Sequence, residues 1–287
     1  MSIALVYLAR GAGDGLLAVK KFFDAYSAFP PGCPHDLIVI SKGWVDVEER
    51  SELERMAQKH SASIINFPDH EYDFGAYMRL APTLHQDWIC FLSTNSRPRV
   101  DGWLKFLWMA ARSDEKNVGA VGPTGSLGTI AQFPYPPPPT ANLRALLLFP
   151  LLPLRLLFHA MWFILKIKDF PIFPNPHIRS STFMVRRDVF TDFTAKNKMP
   201  HTKYQAYMLE SGRKGLTAFV KDLGLKTLVA GADGKVYEPD QWINSRTFRF
   251  PGSLNLLVED RQTITYEMSE IKNKRALEMA AWGKRFS

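Results

Sequence analysis

The sequence predicts an α/β fold: a mostly parallel central sheet with helices on both faces, interrupted by one apolar insertion. Apolar strand patterns alternate with amphipathic helix patterns through the first 70 residues, and this alternation is typical of parallel sheets. A length of 287 residues with 46% apolar residues is sufficient for one large domain with a real core. The alternation is interrupted after residue 134, where the composition changes abruptly.

The predicted elements follow one another in a regular order, and no internal repeat is present. Strand patterns cover residues 3–8, 36–41, 63–67, 88–92, 118–121 and a stretch ending near 229. Helix patterns cover residues 16–28, 48–60, 103–109, 203–209 and 268–287, and Asp73 opens a further helix. The glycine-rich turn over residues 11–15 lacks the Gly-x-Gly-x-x-Gly spacing of a phosphate loop, so we interpret it as a flexible turn.

Charge and cysteine content limit the class of protein. A formal net charge of +8 favours an anionic partner, such as a membrane surface or a phosphorylated substrate, or simply reflects a basic surface. Nucleic acid is not expected as a partner, because no recognisable nucleic-acid-binding motif occurs. Cys33 and Cys90 are the only cysteines, which argues against a disulfide framework and predicts a reducing, cytoplasmic compartment.

The insertion over residues 135–170 is Pro-rich first and apolar afterwards. Its apolar run, residues 145–165, is long enough to span a bilayer, but Pro150, Pro153 and Arg155 interrupt it, and a central Arg costs about 2.5–3.5 kcal/mol on insertion scales. Two interpretations stay open. The insertion lies on a membrane surface with its flanking cations near lipid headgroups, or it packs on the domain or a second copy.

The polar cluster at residues 93–96 follows a buried strand pattern and precedes a helix pattern. Open α/β sheets bind ligands at the carboxyl ends of their strands, so this cluster is the expected position of a functional site. An alternative is that Asn95 and Ser96 only cap the following helix.

This segment, Phe-Leu-x-x-x-Ser-x-Pro followed by Gly-Trp-Leu, resembles that of GT-A-fold nucleotide-sugar glycosyltransferases in which an Asp-x-Asp pair holds a divalent metal. Ser93 and Asn95 stand at the two carboxylate positions here. The stretch Tyr72 to Tyr77 resembles a motif of rhamnan-synthesis proteins. A strand with paired arginines and a segment led by Glu210 follow in the order expected for the family, over roughly residues 3–247.

The resemblance implies a sugar transferase that uses a nucleotide-sugar donor and a glycan or lipid-linked acceptor, in bacterial surface-polysaccharide synthesis at the inner face of the membrane. It divides the chain into a nucleotide-sugar-binding half (1–134), the insertion (135–170), an acceptor and catalytic half (171–250) and a C-terminal docking tail (251–287). The alternative is a non-catalytic binding or scaffold protein of GT-A type that has lost its metal site.

The resemblance and the residue chemistry together predict the site. Glu210 is the expected general base; alternatively, it is a helix N-terminal acid that interacts favourably with the dipole. The residues expected to bind the nucleotide sugar are Asp73, Gly75, Ser93, Thr94, Asn95 and Arg179. The residues expected to contact the acceptor are His177, Asp240 and Trp242.

No protein metal site is expected, because the cluster offers only neutral oxygens. A bound Mg or Mn would be held weakly and mainly by the diphosphate. Otherwise, the charge of the leaving group would be stabilised by cations, for which Arg179, Arg186, Arg213 and Lys214 are the candidates.

Overall fold

An eight-stranded sheet forms the centre of the protein in a computed structural model that describes residues 1–114, 116–131, 161 and 163–287. The strands are β1 (Ile3–Arg10), β2 (Asp36–Lys42), β3 (Ser63–Asn66), β4 (Trp88–Leu92), β5 (Arg97–Pro98), β6 (Val118–Gly122), β7 (Gly125–Ser126), β8 (His177–Ile178), β9 (Thr182–Arg186), β10 (Lys226–Ala230), β11 (Val236–Tyr237) and β12 (Val258–Glu259). The order in the large sheet is β11-β10-β6-β9-β4-β1-β2-β3. Most neighbours are parallel, while β9 and β11 run antiparallel to theirs. The predicted fold class is therefore confirmed.

Helices cover both faces of this sheet. They are α1 (Gly15–Ala28), α2 (Val47–Lys59), α3 (Asp73–Leu80), α4 (Trp103–Arg112), α5 (Arg187–Lys196), α6 (Lys203–Ser211), α7 (Leu216–Asp222), α8 (Trp242–Ser245), α9 (Arg261–Met268) and α10 (Ile271–Trp282); residues 163–169 are also helical. One core lies under α1, α2 and α4, and the other under α3, α5, α6 and α7. Alternate residues of β1 enter the two cores, with Val6 on one face and Tyr7 on the other.

The antiparallel direction of β9 decides which residues reach the site. Leu92, at the carboxyl end of β4, pairs with Thr182 at the start of β9, whereas Trp88 pairs with Arg186 at its end. The paired arginines therefore lie at the opposite edge of the sheet from the polar cluster. Arg186 forms an ion pair with Asp188 there, so its expected role at the leaving group is corrected.

The C-terminal residues are part of the folded domain. Leu257 and Val258 are buried in the core under α1 and α4, and β12 pairs with β5. Trp282 of α10 is buried in the other core and donates its indole N–H to the Phe248 carbonyl over 2.8 Å. This packing makes residues 251–287 part of the domain, while their predicted role as a docking tail stays a prediction.

Most of the insertion, namely residues 135–160 and 162, lies outside the described residues, so the two interpretations of its apolar run stay open. The short strands β7 and β8, on either side of it, pair with each other. None of the helices within the described ranges is long and apolar enough to cross a membrane. Cys33 and Cys90 are both free thiols.

Candidate functional site

A cavity of about 480 Å³ lies at the carboxyl edge of the parallel strands. It brings together the sequence-predicted residues Asp73, Ser93, Thr94, Asn95, Arg179 and Glu210. It is also lined by residues that the sequence analysis did not single out, among them Arg10, Lys203, Tyr207, Asp260, Arg261 and Gln262. Segments far apart in the chain thus converge on one site, which we call the donor cavity after its proposed role.

The polar cluster forms a tight turn that ties β4 to β9. The Ser93 amide donates to the Ser181 carbonyl over 2.8 Å, and the Ser96 hydroxyl donates to the same carbonyl over 2.8 Å. The helix that follows, α4, begins after Gly102 without a side-chain cap, so the alternative that this cluster only caps a helix is wrong. The side chains of Thr94 and Asn95 line the cavity and have no hydrogen-bond partner among the described residues, which leaves their polar groups available to a ligand.

Glu210 lies in the last turn of α6, not at a helix N-terminus. A carboxylate there meets the negative end of the helix dipole, so dipole stabilisation does not explain its position. One carboxylate oxygen accepts a hydrogen bond from the Ser180 amide over 2.8 Å. The other has no hydrogen-bond partner in the part of the chain that the structure describes, which makes it the available acceptor for a substrate proton.

Asp73 is the first residue of α3 and is a second carboxylate of this cavity. Burial raises its pKa above the ordinary value; Asp69 and Glu210 add to the shift, whereas Lys42 and Arg10 oppose it. The carboxyl oxygens of Asp73 can form hydrogen bonds with hydroxyl groups of a ligand in either protonation state.

The ends of β1 and β2 carry a cationic pair held by one carboxylate. The Arg10 guanidinium binds Asp69 at 2.9 Å, and the buried Lys42 ammonium lies 3.4 Å from the same carboxylate. This cationic pair could be predicted from the sequence, because Arg10 and Lys42 each end an apolar strand pattern. Two cations at neighbouring carboxyl ends of parallel strands must lie at the same edge of the sheet.

Arg179 is buried, and its charge is already compensated. Its guanidinium lies 2.5 Å from the Asp260 carboxylate and 4.1 Å from the centroid of the Phe248 ring. Burial by itself raises the pKa of Asp260, but the Arg179 charge and several hydrogen bonds lower it below its ordinary value. Arg179 therefore anchors the wall shared by two cavities. Arg213 and Lys214 line a different cavity, so their expected role at the leaving group is also not supported.

His177 lines an adjoining cavity of about 460 Å³, which we call the acceptor cavity after its proposed role. Both cavities are lined by Arg179, Lys203, Tyr207, Glu210 and Gln262. The His177 Nδ1 lies 2.9 Å from the Asn175 carbonyl oxygen. That oxygen can only accept, so Nδ1 carries a proton and the neutral ring presents Nε2 as an acceptor. Burial lowers the pKa of His177; Arg179 adds to this, while Glu210 and the Asn175 carbonyl oppose it.

Three sequence-predicted residues do not reach these cavities. A Cβ on Gly75 would lie 2.5 Å from the Glu71 Cβ, so this glycine makes room for Glu71. Asp240 is exposed and lines neither cavity. Trp242 is fully buried and donates its indole N–H to the Tyr237 carbonyl over 3.0 Å. These placements do not support the expected ligand contacts.

Some of the missed residues carry a sequence signal. Lys203, Tyr207 and Glu210 are spaced as i, i+4 and i+7, which places them on one face of α6. Arg261 and Gln262 had no such signal, because they reach the site only through the packing of the C-terminal segment.

The side chains at this site do not form a dedicated metal site. Within the described ranges, no group of three or more His, Cys, Asp or Glu residues is arranged to hold a metal ion. The cluster at the Asp-x-Asp position contributes only hydroxyl and amide oxygens, whereas hard divalent cations favour carboxylates.

No family model and no curated protein matches this chain. Among solved structures, it is similar to the glucosyl-3-phosphoglycerate synthase of Mycobacterium tuberculosis in complex with UDP, at 15% identity, 66% of this chain, 57% of that chain and a TM-score of 0.37. It is also similar to 4-diphosphocytidyl-2C-methyl-D-erythritol synthase of Anaerococcus prevotii, at 9% identity, 82% of this chain, 90% of that chain and a TM-score of 0.45. A third is S. aureus TarS with UDP-GlcNAc, at 7% identity, 42% of this chain, 34% of that chain and a TM-score of 0.35. This chain thus spans 57% of the length of the mycobacterial synthase.

Proposed function

We propose that this protein is a glycosyltransferase that moves a sugar from a nucleotide-sugar donor to an acceptor hydroxyl, with Glu210 as the general base. The observation that carries the proposal is the position of Glu210 between two adjoining cavities. A group that takes a proton from the acceptor must reach both reactants. One of its oxygens is fixed by Ser180, and the other is available.

The reaction is a direct displacement at the anomeric carbon. Glu210 accepts the proton of the acceptor hydroxyl while the hydroxyl oxygen forms the new glycosidic bond. The bond from the anomeric carbon to the diphosphate oxygen breaks, the electron pair leaves with the nucleoside diphosphate, and the configuration inverts. Thr94, Asn95 and Asp73 offer polar groups to the donor's hydroxyls.

The diphosphate leaving group needs positive charge as it departs. Arg261 lines only the donor cavity of the two and forms no ion pair with another described residue, so we assign this role to it. No step is assigned to a metal ion, since the residues present do not build a site for one.

A thermal-shift screen with nucleotide sugars, followed by transfer assays with and without EDTA, tests the proposal. A donor at 100 times its dissociation constant should raise the free energy of unfolding by about 2.7 kcal/mol. Binding and transfer should both survive EDTA. Activity that EDTA abolishes and manganese restores would contradict the metal-independent reaction. Binding without any transfer or donor hydrolysis would favour the scaffold alternative.

We also propose that the protein lies at the cytoplasmic face of a membrane, where a lipid-linked glycan acceptor would be found. A third cavity, of about 470 Å³, is lined by the exposed cations Lys168, Lys196, Lys198, Arg213 and Lys214. None of these forms an ion pair with a described residue. Ile164 and Leu165 are 61% and 51% exposed and share a helix face with Lys168. Exposed apolar side chains beside unpaired cations are typical of surfaces that bind anionic lipids.

A further inference from the structure

The acceptor cavity carries more positive charge than its protein surroundings neutralise. The guanidinium groups of Arg179 and Arg249 lie 4.1 and 4.9 Å from the centroid of the same Phe248 ring. The carboxylate of Asp260 forms an ion pair with Arg179 only. Arg249 therefore shares one aromatic platform with another cation and has no ion-pair partner among the described residues.

The hydrogen bonds of Arg249 do not compensate its charge. Its two terminal nitrogens donate to the Leu277 carbonyl and to the Gln262 side-chain oxygen, both over 3.1 Å, and both acceptors are neutral. Its Nε is buried and has no hydrogen-bond partner in the described part of the chain. A buried guanidinium nitrogen without a partner is costly, because desolvation is not repaid.

The backbone at Arg249 is also held in an unfavourable conformation. Its φ is +48°, a region that L-residues other than glycine rarely adopt. Burial, and next the nearby Arg179, lower the pKa of Arg249 to about 10, so the group remains charged at neutral pH. Backbone strain and uncompensated charge are common at functional sites, where ligand binding offsets their energetic cost.

We propose that the acceptor cavity binds an oxyanion, the phosphate or carboxylate group of the acceptor molecule, with Arg249 as its main charged ligand. The planar guanidinium suits such a group, because it presents parallel N–H donors. Lys203 lines the same cavity and adds a second cation. That the oxyanion belongs to the acceptor molecule rests on the proposed function, whereas the oxyanion site itself does not.

The position of this site gives the acceptor its orientation. Glu210 and His177 line the same cavity as Arg249. An acceptor held by its anionic group at Arg249 would present a hydroxyl to the Glu210 carboxylate. The neutral His177 ring would then accept a hydrogen bond from an uncharged group of the acceptor molecule. Its Nε2 carries a lone pair, which repels an oxyanion.

Isothermal titration with inorganic phosphate at constant ionic strength tests the proposal. The expected result is measurable binding to the parent and a loss of roughly tenfold or more in Arg249→Gln, which removes a charge-assisted contact. Arg246→Gln is the matched control: Arg246 lies in the same loop, also has a positive φ and stacks on Phe250 at 5.0 Å, but lines a different cavity. Its phosphate affinity should equal that of the parent.

Two further variants keep the test decisive if Arg249→Gln does not fold. Arg249→Lys retains the charge and should weaken phosphate binding without abolishing it. Lys203→Gln leaves every hydrogen bond of Arg249 intact and should weaken phosphate binding several-fold. Phosphate affinity that is unchanged in the folded Arg249 and Lys203 variants, or absent in the parent, would overturn the site.

Competition with UDP separates this inference from the proposed function. Phosphate and UDP that bind together support separate acceptor and donor sites, whereas mutual displacement would assign the oxyanion site to the donor and overturn its acceptor role. If phosphate binding depends on Arg249 but no nucleotide sugar is bound or transferred, the oxyanion site stands and glycosyl transfer is rejected.

Discussion

At the scale of single residues, Glu210 shows how position changes the meaning of a side chain. A glutamate at the start of a helix is explained by the dipole, but Glu210 lies in the last turn of α6. Its unfavourable place in the helix is offset by the hydrogen bond from Ser180. The arrangement fixes one oxygen and leaves the other facing two cavities.

Replacing Glu210 by Gln is expected to lower turnover by roughly two to four orders of magnitude, since the amide cannot take up the proton. Donor affinity should change little, because size and hydrogen bonding are retained. Turnover and the dissociation constant of the nucleotide-sugar donor are measured for Glu210→Gln and, in parallel, for His177→Gln. The second variant changes the other side chain of the acceptor cavity that could accept the proton. Near-parental turnover in Glu210→Gln together with a collapse in His177→Gln would transfer the role of base to His177.

His177 also predicts a dependence of stability on pH. Burial holds its pKa below the ordinary value, so the unfolded chain binds a proton at a higher pH than the folded one. The contribution of His177 to the free energy of unfolding is present above about pH 6.5 and is lost as the pH falls through the folded-state pKa. Urea titrations of the parent and of His177→Gln across this range should show a shallower acid loss in the variant. Equal slopes would contradict the neutral state of the half-buried ring.

At the scale of elements, the junction of β4 and β9 builds the floor of the donor cavity. Ser96 is fully buried, donates to the Ser181 carbonyl and accepts from the Thr182 hydroxyl over 3.1 Å. This short chain of hydrogen bonds holds the polar turn against the start of an antiparallel strand.

Ser96→Ala should lower the free energy of unfolding by about 1–3 kcal/mol, because it leaves the buried Thr182 hydroxyl without its partner and removes one of the two hydrogen bonds to the Ser181 carbonyl. Ser113→Ala is the control: Ser113 is exposed and bonds only to the carbonyl of Ala110 in its own helix, so a change within about 0.5 kcal/mol is expected. Urea denaturation of both variants is the measurement. Equal effects in the two would show that the junction does not depend on this hydroxyl.

The positions of the strands could be predicted from the sequence, but their directions could not. Buried strands such as β1 and β4 appear as apolar runs at the predicted positions, because hydrophobic burial leaves a local pattern. Strand direction depends on pairing with distant segments, so nothing local indicated that β9 is antiparallel. Because β9 is antiparallel, Arg186 lies at the far edge of the sheet and Ser180 lies at the site.

At the scale of the whole molecule, exposed cations lie on both faces of the sheet. The cluster of Lys168, Lys196, Lys198, Arg213 and Lys214 lies beside α5 and α6. The exposed Lys20, Lys21 and Lys59 belong to α1 and α2, which pack on the opposite face. Replacing three lysines from each set gives two variants of equal net charge that can be compared.

The triple variant Lys196→Glu, Lys198→Glu and Lys214→Glu is expected to lose binding to vesicles that contain phosphatidylglycerol. Each removed cation weakens attraction to an anionic surface by about 1 kcal/mol. Lys20→Glu, Lys21→Glu and Lys59→Glu, with the same net charge, should bind like the parent. Co-sedimentation with vesicles of phosphatidylcholine with and without phosphatidylglycerol is the measurement. Equal losses in both triple variants would show a general charge effect and no specific face.

The pairing of β7 with β8 has a consequence for how this protein can vary. Gly125 and Ser126 pair with Ile178 and His177, so the two ends of the intervening segment are held side by side. Because the free energy of closing a loop grows only slowly with its length, changes in chain length within residues 132–160 are expected to leave this pairing, and with it His177, in place. A residue of the cavity wall is thereby positioned by strand pairing and not by the length of the segment before it.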